Sequence, residues 1–383
     1  MKAFAITLKG LENIASLEIK EITGSKVEIS KDSKGIVIFE VSSVEQIAEV
    51  AYKSQSISRT GIFLDNIEFS DLEDLSEKIK NIPNISENKL KEFLDLNKSF
   101  NVECERSGKH DFKSTEAALE IGKLLPLKNP DFKTPVNRFF AYVHENKLFF
   151  GIDFSGFEMD KRSFNVFMNP DQLKAPINYA LVREAGFSDG KISLDPLCRS
   201  GLIPIESALY ASNMSPRFYD KENLAFLKLK CFSEMDTDEL FEKWDSGIKK
   251  KINGKINCFD FSQRNVKAAE KNSKIAGVNK LINFSRVELN DLDLKFEDGS
   301  IDCIVTYPPQ PSLHTAETRM NAIYSEFFNQ AKTLLSKKGK LCVALKKPEL
   351  FLKTAKNHDF KISKEYSVMQ GQQEVRIVVL VRD

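Results

Sequence analysis

From residue 191 onward, segments typical of buried strands alternate with segments of helical spacing. The strand-like runs "KISLDPL", "KINCFD" and "IDCIVTY" each lead into a helical pattern. Such alternation predicts a parallel sheet with helices on both faces. The closing pair of strands in "YSVMQGQQEVRIVVLV" is joined by a short turn, which predicts an antiparallel edge. Residues 191–383 are therefore expected to form a doubly wound α/β domain.

The first 190 residues divide into three regions. Residues 1–65 follow a β-α-β-β-α order, the outline of a ferredoxin-like domain. Residues 66–160 contain a charged helical stretch, the alternating strand "FNVECE", the helix "STEAALEIGKLL" and the hairpin "FFAYVHENKLFFGIDFS". This pattern predicts a second α/β region. Residues 161–190 are predicted to be a linker whose second half is helical.

Composition excludes several classes of protein. The 383 residues are 42% hydrophobic and carry a net charge of +1, so any nucleic-acid surface must be a local patch. No apolar run is long enough for a membrane helix, and the start of the chain lacks a signal-peptide pattern. We therefore expect a cytoplasmic protein that binds no membrane. The six cysteines and four histidines show no metal-ligand spacing, so no metal is predicted. The sequence implies no obligatory protein partner.

Four consecutive strands of the predicted sheet end in residues suited to a nucleotide-like ligand. The first is followed by the turn "DPLCRSG" and a helix, the second ends in Asp260, and the third ends in Glu288. Ligands of open α/β sheets bind at these carboxyl ends, where an acid after the second strand can accept hydrogen bonds from ribose hydroxyls. The fourth strand runs into Pro308 and Pro309, which cannot donate to a ladder and stiffen the backbone.

These residues resemble the S-adenosylmethionine-dependent methyltransferases that modify a base nitrogen. The run from Asp195 to Gly201 resembles the D-P-x-C-G-S-G loop of that family, and Thr306–Gln310 occupies the place of its (N/D)-P-P-Y motif. The resemblance implies a Rossmann-type domain with S-adenosyl-L-methionine as cofactor, Asp260 at its ribose and Glu288 at its adenine. The full set of cofactor-binding residues that it implies is Asp195, Leu197, Cys198, Arg199, Ser200, Gly201, Asp260, Phe261, Glu288 and Leu289.

The stretch "FNVECERSGKHDFKS" and the helix after it are similar to the THUMP domain, an RNA-binding module of tRNA-modifying enzymes. Over nearly its whole length the chain resembles the THUMP-containing tRNA guanine-N2 methyltransferases, with residues 66–160 as the THUMP domain. The resemblance implies tRNA as the partner. Four residues form a local basic cluster that is a candidate for phosphate contacts: Arg106, Lys109, His110 and Lys113.

One departure from the family pattern lies in the loop after the first strand. Arg199 replaces a glycine, a residue that lets the backbone approach the cofactor. Its side chain would block the site, turn outward, or pair with the carboxylate of the cofactor's methionine. The sequence leaves all three alternatives open.

The second departure lies in the motif that receives the base. In the family, Asn or Asp and a proline carbonyl accept hydrogen bonds from the guanine amine, and the final Tyr stacks on the base. Here Tyr307 replaces the acceptor and Gln310 replaces the ring. One interpretation exchanges their roles, so that Tyr307 stacks and Gln310 accepts. Another is a different target, guanine N7, which has an in-plane lone pair and no proton to lose.

The sequence thus predicts an S-adenosylmethionine-dependent tRNA methyltransferase that acts on a guanine nitrogen, N7 or N2. The changed motif favours a nitrogen other than N2. Its predicted catalytic residues are Tyr307, Pro308 and Gln310. The alternative is a catalytically inactive, tRNA-binding relative of the family.

Overall fold

The computed structural model describes residues 1–29, 34–311 and 317–383. Its strands are β1 (Lys2–Thr7), β2 (Val27–Ile29), β3 (Ile36–Glu40), β4 (Ile57–Glu68), β5 (Phe100–Ser107), β6 (Asn137–His144), β7 (Lys147–Asp153), β8 (Ile192–Asp195), β9 (Lys255–Asp260), β10 (Ile282–Arg286), β11 (Ile301–Thr306), β12 (Leu335–Leu345), β13 (Phe360–Gln370) and β14 (Gln373–Arg382). Its α-helices are α1 (Glu12–Thr23), α2 (Val44–Lys53), α3 (Leu72–Lys80), α4 (Glu87–Leu90), α5 (Ser114–Leu124), α6 (Ala175–Glu184), α7 (Leu202–Ser212), α8 (Thr237–Asp245), α9 (Gln263–Ile275), α10 (Glu317–Leu334) and α11 (Pro348–Asn357).

These elements form two compact units. The first contains residues 1–7, 15–159 and 220–246, and the second contains residues 8–14, 160–219 and 247–383. Most of the region predicted as ferredoxin-like and nearly all of the region predicted as the THUMP domain lie in the first unit. Residues 160–190, which include the predicted linker, belong to the second.

The first unit is built on one sheet with the strand order β2-β3-β1-β4-β7-β6-β5. Its pairs are antiparallel except for β5 and β6, which run parallel. The long strand β4 pairs with β1 on one side and with β7 on the other. This strand therefore joins the ferredoxin-like pattern and the THUMP pattern into a single sheet.

The segment 220–246 contributes an aromatic cluster to the first unit. Phe241 and Trp244 of α8 are buried, and the Trp244 ring stacks on Tyr52 of α2 with 5.9 Å between centroids. The Tyr52 hydroxyl donates a hydrogen bond of 2.9 Å to Asp245. Large aromatic side chains supply much of the apolar area that a core buries, so this segment is part of the core of the first unit.

The second unit has the strand order β10-β9-β8-β11-β12-β14-β13. The first five strands are parallel, and β14 is antiparallel to both of its neighbours. The predicted parallel sheet with an antiparallel edge is thereby confirmed. Adjacent residues of β11 point to opposite faces, as the period of a strand requires: Cys303 and Val305 pack in one core and Ile304 packs in the other.

The helix predicted within residues 161–190 is present as α6, and it is a core element rather than a connector. Ile177, Tyr179 and Leu181 are buried in the same core as one face of the sheet. Over residues 1–29, 34–311 and 317–383, no helix combines the length and the apolar character needed to cross a membrane.

Candidate active site

The carboxyl ends of β8 and β9 bring two acidic side chains together. Asp195 ends β8 and Asp260 ends β9, and these strands are neighbours in the sheet. Both side chains are buried. The Asp260 carboxylate accepts hydrogen bonds of 2.9 Å from the backbone N–H groups of Arg199 and Ser262, and one of 3.0 Å from Asn265. The acid predicted for the ribose therefore lies at the inner end of the loop predicted for the cofactor.

Burial dominates the electrostatics of this acidic pair. It raises the pKa of Asp195 from 3.8 to about 7, against the hydrogen bond of 3.2 Å from the Leu197 N–H, while the nearby Asp260 adds to the rise. Burial also raises the pKa of Asp260, opposed by the hydrogen bonds it accepts. Near neutral pH a small change of surroundings would change the charge of Asp195, so this carboxyl is poised to respond to a cationic ligand.

The loop between β8 and α7 is packed tightly against its neighbours. Leu197 and Cys198 are buried, and the Cys198 N–H donates to the Phe259 carbonyl at 2.9 Å. Gly201 has φ of 79°, and a Cβ there would lie 2.5 Å from the Ala269 Cβ, so only glycine fits. The Ser200 hydroxyl is buried and accepts a hydrogen bond of 2.9 Å from Gln172.

Arg199 keeps the loop in a glycine-like conformation. Its φ is 51°, in the left-handed region that L-residues seldom adopt. Its guanidinium donates a hydrogen bond of 2.6 Å to the Asp171 carbonyl, lies 3.5 Å from the Asp171 carboxylate, and sits 4.4 Å from the centre of the Tyr307 ring. The arginine therefore links the cofactor loop to the strand end that carries Tyr307.

The remaining residues predicted to bind the cofactor are exposed or partly buried. Glu288 follows β10 and is exposed, with its carboxylate 3.5 Å from the Arg286 guanidinium. Phe261 follows Asp260 and is also exposed, and its carbonyl accepts a hydrogen bond of 3.0 Å from Arg286. Leu289 is partly buried. Glu288 and Leu289 follow β10, which pairs with β9 on the side away from β8.

The three predicted catalytic residues are held by bonds within the protein. Tyr307 is only 5% exposed, and its hydroxyl donates a hydrogen bond of 2.9 Å to Asp171. The Gln310 side chain donates a hydrogen bond of 2.8 Å to the Pro308 carbonyl and accepts one of 2.9 Å from the backbone N–H of Lys346. Gln310 thus braces the proline turn against the end of β12.

Asp171 is the central residue of this site, and no sequence motif indicates it. Its carboxylate accepts hydrogen bonds from the Tyr307 hydroxyl and, at 2.6 Å, from the Lys346 ammonium. Burial raises the pKa of Asp171, but the bonds from Lys346 and Tyr307 and the nearby cations outweigh burial and hold it below the ordinary value. The carboxylate is therefore ionised at neutral pH, and its side chain is 46% exposed.

The segment that carries Asp171 is anchored at its start by a buried ion pair. The Arg162 guanidinium donates hydrogen bonds of 2.9 and 3.2 Å to the two carboxylate oxygens of Glu206 on α7. Both side chains are almost fully buried. A bidentate pair of this kind fixes orientation as well as distance.

The only sequence signal for Asp171 was an acid after a proline, which is a common turn pattern.

The basic cluster predicted for RNA lies in the first unit. Arg106 is used internally, because its guanidinium donates to the Phe112 carbonyl and to Ser114 and lies over the Phe112 ring. Lys109 and Lys113 are exposed, whereas the His110 ring bonds to the Glu145 carbonyl at 2.6 Å. The groove beside Lys109 and His110 is lined by five acidic residues: Asp71, Glu73, Asp111, Glu116 and Glu145.

Comparison with known families agrees with this architecture. A family model described as "RMKL-like, methyltransferase domain" matches residues 162–376, and a THUMP domain model matches residues 69–153. The fold and the strand-end site thus define a Rossmann-type methyltransferase. The chain belongs to the RMKL-like methyltransferase family and carries a THUMP domain, which confirms the family predicted from the sequence.

Several curated relatives align over most of the chain. A tRNA (guanine(6)-N2)-methyltransferase of Methanocaldococcus jannaschii is 28% identical over 98% of this chain and 99% of the relative. One of Archaeoglobus fulgidus with the same name is 24% identical over 100% of this chain and 92% of the relative. The ribosomal RNA large subunit methyltransferase K/L of Vibrio parahaemolyticus is 26% identical over 86% of this chain but only 46% of the relative.

A solved structure shares the whole fold. A possible methylase from Clostridium difficile 630 superposes with a TM-score of 0.82 and covers 100% of this chain and 98% of its own. Its sequence identity is 17%, so the likeness concerns the fold.

Proposed function

We propose that this protein transfers a methyl group from S-adenosylmethionine to the exocyclic N2 amine of a guanine in tRNA. The observation that carries the choice of N2 is the Asp171 carboxylate, which accepts a hydrogen bond from the hydroxyl of Tyr307, the residue at the motif position of the Asn or Asp. The two relatives that match over 99% and 92% of their own length are named as tRNA guanine-N2 enzymes, which supports the choice of tRNA.

The strand-end residues fit the cofactor. In this proposal Asp260 binds the ribose, Glu288 binds the adenine amine, and the loop 197–201 binds the methionine part. The fit rests on two features: Arg199 holds the left-handed backbone of a glycine, and Gly201 allows contact with α9. When bound, S-adenosylmethionine supplies an electrophilic methyl group on a sulfonium. The raised pKa of Asp195 means that a nearby positive charge would favour its ionised form.

The Asp171 carboxylate can accept hydrogen bonds from the guanine amine. The guanine N2 lone pair is delocalised into the ring, and an acceptor for the N–H groups aligns it for in-line attack. An ionised carboxylate has about four acceptor positions. Part of the Asp171 carboxylate is taken by Tyr307, Lys346 and Arg199. The side chain is 46% exposed, which leaves room for an amine.

The same carboxylate disfavours N7. That atom presents a lone pair and no proton, so a negative oxygen beside it would repel it rather than orient it. The Pro308 carbonyl can take part in binding the amine, because it accepts one hydrogen bond from Gln310 and has a second lone pair. In this proposal Tyr307 and Gln310 are positioning residues: Tyr307 holds the carboxylate and Gln310 holds the turn.

Variants of Asp171 test this function. Methyl incorporation into an unmodified tRNA transcript is measured at saturating cofactor. Asp171→Ala should lower kcat by about 100-fold, the usual effect of losing one group that orients a reacting atom. Asp171→Asn keeps an acceptor oxygen and should retain more activity than Asp171→Ala. The matched control is Asp189→Ala, which also removes an acid paired with a lysine. Asp189 lies before β8, at the amino ends of the parallel strands and so away from the proposed site.

Near-normal kcat in Asp171→Ala would contradict the proposed role. Tyr307→Phe is a second test of the role of Tyr307, because it removes the hydroxyl that holds Asp171 and keeps the ring. If Tyr307 stacked on the base, this variant would be almost fully active; if it positions Asp171, kcat should fall while tRNA affinity stays unchanged.

A further inference from the structure

A groove of about 470 Å³ in the second unit lies between residues 167–169 and the first turns of α9. Its lining includes the apolar side chains of Phe167 and Met168 and the cations Arg264, Lys267 and Lys271. Among the described residues that line it, three are basic and none is acidic. In a chain with a net charge of only +1, this is a concentrated positive surface. We call it the α9 groove.

The apolar side chains of the α9 groove are exposed, yet their backbone is fixed. Met168 is 70% exposed and Phe167 is 38% exposed. The buried Asn272 accepts hydrogen bonds from the N–H groups of Val166 and Phe167, at 3.2 and 2.9 Å, and donates one of 3.2 Å to the Phe167 carbonyl. Three consecutive apolar residues, Val166 to Met168, are thus exposed on a fixed backbone, and contiguous exposed apolar patches are typical of binding surfaces.

The chemistry of the α9 groove fits single-stranded nucleic acid. The Lys271 ammonium lies 4.7 Å from the centre of the Phe167 ring, which places a cation and an aromatic surface side by side. Single-stranded sites combine a positive groove for the backbone with rings on which bases stack. The groove beside Lys109 in the first unit has five acidic residues in its lining, so it suits a polyanion less well.

The α9 groove also borders the proposed active site. Asn265 lines the groove and donates a hydrogen bond of 3.0 Å to Asp260. Residues 167–169 at its other wall lead directly to Asp171. Enzymes that modify a base act on single-stranded substrate or extrude the base from its helix, so the RNA that reaches this site is unpaired at the target. We propose that the α9 groove binds the single-stranded RNA next to the target guanine, an inference that rests on the proposed function.

Binding of a fluorescein-labelled oligouridine of about twelve nucleotides to the full chain tests this inference. Lys267→Glu combined with Lys271→Glu should weaken binding at least tenfold. The slope of log affinity against log salt should fall by about 1.4, because two cations no longer neutralise phosphates. The matched control is Lys337→Glu combined with Lys338→Glu, which makes the same charge change on two exposed residues near the start of β12.

A second variant separates stacking from charge. Phe167→Ala should weaken oligouridine binding about tenfold, whereas Phe167→Tyr should bind as the wild type does. Cofactor affinity measured by calorimetry should be the same in all variants, which shows that they are folded. Equal losses in the charge variant and its control, or no loss in either, would overturn the inference. Oligouridine contains no guanine, so a failure of the methylation proposal leaves this result interpretable.

Discussion

Replacing Asp195 by Asn should change how the free energy of unfolding depends on pH. The buried carboxyl has its pKa raised from 3.8 to about 7 in the folded protein. Below about pH 3 the carboxyl is protonated in both states and has no effect. As the pH rises towards 7, the unfolded chain loses this proton while the folded protein keeps it, so the wild type loses stability. Above about pH 7 the effect levels off.

The size of this effect follows from the two pKa values. At high pH it approaches about 4 kcal/mol, and between pH 5 and pH 8 it grows by roughly 2–3 kcal/mol. Asn cannot ionise, so the stability of Asp195→Asn relative to the wild type should rise by that amount over this interval. A constant offset from altered hydrogen bonds would add equally at both pH values.

Urea unfolding followed by far-UV circular dichroism at pH 5, 6, 7 and 8 measures the difference. The Trp244 fluorescence serves as an internal comparison, since the only tryptophan of the chain lies in the first unit. Asp189→Asn is the matched variant: hydrogen bonds from Lys249 and Asn253 lower the pKa of Asp189, so its contribution is complete above pH 5 and should not vary. A pH-independent difference for Asp195→Asn would refute the reasoning.

Three further predictions concern binding and packing. Asp260→Ala should weaken S-adenosylmethionine binding, measured by calorimetry, and leave tRNA affinity intact. The reason is that the Asp260 carboxylate holds the cofactor loop through the Arg199 N–H. Unchanged cofactor affinity would remove the assignment of Asp260 to the ribose. Lys109→Glu should lower tRNA affinity in a filter-binding assay by less than Lys271→Glu does, since acidic residues surround Lys109; the opposite order would place the main RNA contact in the first unit. Gly201→Ala should lower the free energy of unfolding by at least about 1 kcal/mol, because the new Cβ meets Ala269 and the backbone is left-handed. An unchanged melting temperature would contradict the tight packing of this loop.

Most of the second sheet could be predicted from the sequence because its signals are local. Strand-length apolar runs and helical spacing identify β8, β9 and β11 without reference to the rest of the chain. The positions of Asp195 and Asp260 follow, since parallel strands place their carboxyl ends at one edge. The family motifs in residues 195–201 and 306–310 added the cofactor and the reaction class.

The centre of the site could not be predicted because it depends on long-range contacts. Asp171 meets Tyr307 across 136 residues of sequence, and no local pattern indicates that pairing. Arg106 shows the converse: a basic run in the sequence does not reveal that one of its guanidinium groups turns inward onto Phe112. The segment 220–246 joins the first unit through Trp244 and Tyr52, another contact that only the folded chain defines.

The identity of the methylated nucleoside tests the central claim most directly. Purified protein is incubated with S-adenosylmethionine and unmodified tRNA transcript, and the digested nucleosides are compared with authentic standards by mass spectrometry. The Asp171 carboxylate predicts N2-methylguanosine, in an amount that falls in Asp171→Ala. 7-Methylguanosine would contradict the amine-acceptor role of Asp171, and no methylation across a broad panel of tRNAs would favour the inactive tRNA-binding relative.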